Sequence, residues 1–97
     1  METVNDYCQN RLLVVGPAGD LKAFDRDADW TEIPGATDIA LLECTPTRLA
    51  WQFVTEAPTL KSLRVISRRW PCLKFLLYYD CEDQRFAGLV RAKNGRL

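Results

Sequence analysis

The clearest pattern in the chain lies between Leu73 and Asp80, where Leu73, Phe75, Leu77 and Tyr79 alternate with Lys74, Leu76, Tyr78 and Asp80. A period of two with one uniformly apolar side predicts a half-buried strand. The polar stretch Asp80 to Gln84 turns the chain, and Phe86 to Ala92 returns as the second strand of a hairpin. Upstream, Pro58 opens a segment in which Leu60, Leu63, Ile66, Ser67 and Trp70 recur at helical spacing, with Lys61, Arg64 and Arg68 opposite them. This predicts an amphipathic helix, and Pro71 stops it. Arg48 to Thr55 reads as a strand whose core side carries Leu49, Trp51 and Phe53 and whose other side carries Ala50, Gln52 and Val54.

The first half is less regular. Arg11 to Val15 (RLLVV) is apolar on both sides, as a strand with neighbours on either hand requires. Gly16 and Pro17 break it, Pro17 being suited to the first helical position, and Leu21, Phe24 and Ala28 then follow at helical spacing with Asp20 in the first turn. Asp27 to Asp38 reads as a loop turned at Pro34-Gly35, with Trp30 and Ile33 pinning it to the domain. Ile39 to Cys44 is a short strand joined by Thr45-Pro46-Thr47 to the next one. Met1 to Gln9 lacks periodicity and reads as a flexible lead-in. Asn94-Gly95 is a turn signal with no partner strand after it.

The resulting order, β-α-β-β-α-β with one extra C-terminal strand, predicts an α+β fold of the ferredoxin-like, split βαβ kind: an antiparallel sheet with both helices on one face. Right-handed crossovers and adjacent hairpins give strand order 5-4-1-3-2 in chain numbering, with the two-sided first strand in the centre. At 97 residues the chain is read as one domain, residues 1–97, with residues 1–9 as the lead-in.

Several short motifs carry a resemblance beyond the topology. Asn10-Arg11-Leu12, Val14 and Gly16-Pro17 form an opening; Trp51, Phe53, Thr55 and Pro58 a middle; Pro71, Leu73, Phe75, Leu77, Tyr79 and Phe86-Ala87-Gly88 a close. In these the chain resembles the YubB-type ferredoxin-like domains of uncharacterised bacterial, plasmid and phage proteins, over most of residues 10–92. The resemblance implies the fold and carries no reaction with it.

Composition narrows the functional classes. Apolar residues at 47% and charged residues at 27% are those of an ordinary globular domain. No apolar run approaches the roughly 20 residues of a membrane span, and the polar, acidic start does not resemble a signal peptide, so the expectation is a cytoplasmic protein with no membrane partner. Cys8, Cys44, Cys72 and Cys81 lie 36, 28 and 9 positions apart, without the close pairs of zinc or redox sites. They read as small buried or half-buried thiols in a reducing compartment, and Cys72 and Cys81 bracket one strand too long to bridge. Neither a metal nor a cofactor is expected.

Net charge is zero but unevenly spread: residues 1–56 hold 4 Lys/Arg and 10 Asp/Glu, a balance of −6, and residues 57–97 hold 9 and 3, a balance of +6. The basic helix face, Lys61, Arg64 and Arg68, is in the first instance a solvated surface that would meet an acidic partner if used. The chain has no histidine, so acid–base chemistry would fall to the Asp80, Glu82, Asp83 cluster, whose composition is that of a solvated turn. The Gly16 to Asp20 turn lacks the Lys and Ser/Thr of a phosphate loop, and Asp20 would repel an anion there. No catalytic residue is assigned; a small-ligand or phosphate-handling enzyme is the weakest reading.

The open face of the sheet remains. Gln52, Val54, Lys74, Leu76, Tyr78, Leu89 and Arg91 are expected there, a mixture apolar enough to predict a protein partner or a homodimer. Single-stranded nucleic acid is the alternative, with Tyr78 stacking a base and Lys74 and Arg91 meeting phosphates. The zero net charge weighs against it.

Overall fold

A computed structural model of the chain describes residues 7–33, 35–81 and 86–97. It comprises β1 (Cys8–Val15), α1 (Ala18–Asp27), a short 3-10 helix (Trp30–Glu32), β2 (Thr37–Thr45), β3 (Arg48–Thr55), α2 (Leu60–Arg69), β4 (Lys74–Cys81) and β5 (Phe86–Ala92). All strand pairs are antiparallel and the sheet runs β2-β3-β1-β4-β5. The α+β architecture of five strands and two helices is compatible with a ferredoxin-like arrangement.

Both helices pack on one side of this sheet. Leu21 and Phe24 of α1 and Leu63 and Ile66 of α2 share a buried cluster with Leu12, Val14, Leu49, Trp51, Phe53, Phe75 and Leu77. Phe24 is its centre: its ring meets Trp51, Trp70 and Phe75 edge to face at centroid distances of 5.7, 5.3 and 5.5 Å. Such contacts add about 0.5–1.5 kcal/mol each beyond burial of area, and they fix ring orientation as well as position.

Two glycines are set by close approach. A Cβ on Gly16 would lie 2.7 Å from Cδ2 of the fully buried Leu73, so the β1–α1 turn can pass beneath the start of β4 only without a side chain. Gly88 faces Tyr79 across the β4–β5 ladder, and the tyrosine ring occupies the space a Cβ would take. Ser67, at a position where the helical pattern puts an apolar residue, is fully buried because its hydroxyl donates to Arg64 O at 3.0 Å and accepts from the Gly95 backbone N–H at 2.9 Å.

Several expectations are corrected. Cys8 and Gln9 belong to β1 rather than to a lead-in, because Asn10 is buried and supplies the bonds that extend the strand: its Nδ2 donates to Cys8 O at 3.1 Å, Phe53 O at 3.4 Å and Thr55 Oγ1 at 3.0 Å. Pro17 caps α1 rather than starting it, its carbonyl accepting from the Leu21 N–H at 3.0 Å. The Asp27 to Asp38 segment contains a 3-10 turn, nucleated by Asp29, whose Oδ1 accepts from Thr31 N at 2.9 Å and Thr31 Oγ1 at 2.7 Å. Asn94-Gly95 does find a partner: both residues have positive φ, 50° and 79°, and Lys93 and Arg96 exchange backbone hydrogen bonds of 2.9 and 3.0 Å across them. This is a two-residue hairpin turn of the primed kind.

The cysteines require the largest correction. Cys8 and Cys81 form a disulfide closing a sequence separation of 73, whereas Cys44 and Cys72 are free and exposed. The bond lies where the β1–β4 ladder runs out after Gln9 and Asp80, and Cys8 and Cys81 follow those partners in register. Spacing along the chain carries no information about such a long-range pair.

Replacing both Cys8 and Cys81 by Ala should lower stability by about 2–4 kcal/mol in urea denaturation, the usual contribution of a disulfide that joins distant parts of a chain. The same loss should follow reduction of the unsubstituted protein.

Candidate functional site on the open sheet face

Antiparallel register arranges the helix-free face as a lattice of rows running across the strands. The first row reads Thr37, Val54, Gln9, Asp80, Ala87, and the second Ala40, Gln52, Arg11, Tyr78, Leu89. The third is Glu43, Ala50, Leu13, Leu76, Arg91, and the fourth Thr45, Arg48, Val15, Lys74. Every neighbour within a row is a direct cross-strand partner, close enough for side chains to touch or share a ligand.

The rows grade in chemistry. The middle of the third row, Ala50, Leu13 and Leu76, is half-buried and apolar, with Arg91 exposed at one end and Glu43 at the other. In the second row Tyr78 is 49% and Leu89 62% exposed, two large side chains standing together at the β4–β5 ladder. Gln9, Arg11, Gln52, Tyr78 and Asp80 line an open depression where the first and second rows meet. Charged groups surround the apolar middle: Arg11, Arg48, Lys74 and Arg91 against Glu43 and Asp80.

The residues expected on this face are therefore brought together. Gln52, Val54, Lys74, Leu76, Tyr78, Leu89 and Arg91 lie on one surface, with Tyr78, Leu89, Lys74 and Arg91 exposed and Gln52, Val54 and Leu76 half-buried. Lys61, Arg64 and Arg68 are exposed on α2, on the opposite side of the sheet, and form no common site with them. Of the acidic trio, Asp80 sits in the first row between Gln9 and Ala87; Glu82 and Asp83 lie outside the described residues.

The 3-10 helix and the residue after it do not cover this face. Ile33 is buried in the helix-side core, and Trp30 packs edge to face on Trp51 and Phe53 at 5.7 and 5.1 Å. Trp30 and Ile33 are thereby committed to the other side.

Sequence reasoning missed Arg11 and Leu13, which complete the second and third rows from the central strand. Their signal was the two-sided composition of RLLVV, which marks a strand lying between neighbours but not what its outer residues do. It also missed the character of β2. All nine residues of this edge strand are exposed, including Ile39, Leu41 and Leu42, and its ladder to β3 shifts register twice. The acids flanking the aliphatic run, Asp38 and Glu43, gave the hint. Such irregularity and charge blunt an edge that would otherwise add strands without limit.

Among the described residues no group of His, Cys, Asp or Glu is placed to hold a metal ion, and no helix is long and apolar enough to cross a membrane. No protein-family model, no curated protein and no solved structure matches the chain. The sheet face thus has to be read on its own chemistry.

If these side chains are free of the core, Tyr78→Ala and Leu89→Ala should each shift urea stability by no more than about 0.5 kcal/mol. The adjacent inward-facing Leu77→Ala should cost about 2–5 kcal/mol. Equal losses at positions 77 and 78 would show that Tyr78 belongs to the packing.

Proposed function

We propose that this protein is a non-catalytic association module whose open sheet face binds a protein surface, in the first instance that of a second copy. The observation that carries the reading is the Tyr78–Leu89 pair, two large side chains about half exposed or more, side by side on a face free of helices. Exposed aromatic and aliphatic pairs ringed by charge are the composition of an interface centre with its rim. Glu43, which also ion-pairs with Arg48 at 3.7 Å, and Arg91 stand at opposite ends of one row and give the rim both signs, so a two-fold pairing of copies can exchange that exposed pair for one between copies.

Membership of the YubB-type family and the ferredoxin-like assignment belong to the same proposal. They are supported by the roles of the motif residues: Gly16 passing under Leu73, Gly88 under Tyr79, and Asn10 and Thr55 joined by a buried hydrogen bond. The expected cytoplasmic setting is set against the Cys8–Cys81 disulfide, which is at home in an oxidising compartment; the association reading holds in either.

A second reading, single-stranded nucleic acid on the same face, is favoured by one arrangement. Arg11 stands directly between Gln52 and the exposed Tyr78, with Arg91 in the next row and Lys74 in the one after it, which is the combination of stacking surface and phosphate contacts that such ligands use.

Light scattering from micromolar to millimolar protein tests the first reading. A concentration-dependent dimer is expected, weakened at least tenfold by the Tyr78→Ala, Leu89→Ala double variant. A monomer throughout, or a dimer indifferent to that double variant, would overturn it. Salt-sensitive retention on a single-stranded DNA or RNA resin, lost with Tyr78→Ala, would transfer the face to the second reading.

A further inference from the structure

A cavity of about 170 Å³ lies on the helix side, at the junction of α1, the 3-10 helix and α2. Its walls are Leu12, Phe24, Trp30, Ile33, Ile66 and Trp70. It is independent of the sheet face, since each of these side chains belongs to the core cluster or packs against it. An engineered apolar cavity of about 150 Å³ is known to admit benzene, so this one has room for a single six-membered ring.

The walls are held apart rather than free to collapse. Trp70 is braced edge to face against Phe24 at 5.3 Å, and Trp30 against Trp51 and Phe53 at 5.7 and 5.1 Å. Phe24 is in turn fixed by Trp51 and Phe75. A preformed apolar space with polar groups at its mouth is the common form of a small-molecule site.

The mouth has a sign. Asp27, Asp29, Glu32 and Arg69 line it. Arg69 is paired with Glu32, and Asp27 with Arg26 at 2.9 Å. Asp29 has no salt bridge among the described residues; Oδ1 takes both bonds from Thr31, and Oδ2 accepts none. The Thr31 bonds also hold this carboxyl below its ordinary pKa, so it is ionised at neutral pH. Arg69, shared between its ion pair with Glu32 and a weaker attraction to Asp29, leaves the mouth with an excess of one negative charge, above a space walled by two tryptophans. A cation beside an indole is further favoured by the ring quadrupole.

We propose that this cavity binds a small aromatic ammonium compound, a single ring on a short amine-bearing arm, with the ring in the cavity and the ammonium at the mouth beside Asp29. Size selects one ring, the walls select an aromatic, and the charge left at the mouth selects a cation over an anion.

Titration with 2-phenylethylammonium, 2-phenylethanol and phenylacetate, followed by the indole N–H resonances of Trp30 and Trp70, tests each part. Saturable shifts of both resonances are expected with the ammonium, which should bind roughly threefold tighter than the alcohol, as one exposed ion pair provides, with phenylacetate weakest. Asp29→Asn keeps an acceptor for Thr31 and should bring the ammonium down to the alcohol's affinity. Ala28→Leu, adding bulk at the cavity wall, should abolish saturation by all three; Ile66→Phe serves the same purpose if the first variant loses its dispersed amide spectrum. Absence of saturable shifts, equal affinity for the three probes, binding that survives a folded cavity-filling variant, or shifts confined to the sheet face would overturn the proposal.

Discussion

The fold is organised by the double pairing of β1. This strand hydrogen-bonds to β3 along its whole length and to β4 over most of it, so its register fixes both neighbours and, through them, both edges. Because side chains alternate strictly, that register sends Cys8, Asn10, Leu12 and Val14 to the helix side and Gln9, Arg11, Leu13 and Val15 to the open side. A slip of one residue against either partner would exchange the two sets, placing Arg11 in the core and Leu12 in water. Asn10 guards against this slip. Its buried amide spans the Cys8, Phe53 and Thr55 positions, a set of acceptors that one register alone provides.

From that frame the two helices acquire different duties. α1 brings Phe24 over the β3 side, where it becomes the hub for Trp51, Trp70 and Phe75. α2 brings Ile66 and Ser67 over β4 and β5, and Ser67 reaches past the sheet to the turn that follows β5. The opposed charge of the two halves of the sequence is carried into space by this division. The acids of α1 and β2 lie to one side of β1, and the bases of α2, β4 and β5 to the other.

Elements whose signal is local were readable in the sequence. β3 and β5 have the bounds their alternation indicates, and α2 buries Leu63, Ile66 and Ser67 as its spacing requires. What escaped depends on partners distant in the chain. Asn10 stands just outside the strand that RLLVV marks until Thr55 is beside it, Cys8 is unremarkable until Cys81 follows it in register, and Asn94-Gly95 needs only one residue on each side to close its turn. The open face was half readable for the same reason: β4 and β5 announce their outer residues by alternation, whereas RLLVV is apolar enough on both sides to conceal Arg11 and Leu13 as surface. The cavity was invisible altogether, since Trp30 and Trp70 come from segments that share no pattern.

The disulfide has a topological consequence. It closes residues 8 to 81 into a covalent ring that threads β1, α1, β2, β3, α2 and β4, so a single peptide-bond cleavage at the Thr45–Arg48 turn would leave one connected molecule. β5 stands outside that ring, secured by its ladder to β4 and, past its end, by the Gly95–Ser67 hydrogen bond. It can fray without any covalent loop having to open. Leu89 belongs to this strand outside the ring and Tyr78 to the ring, so the face presented to a partner is assembled across the boundary of the covalent loop.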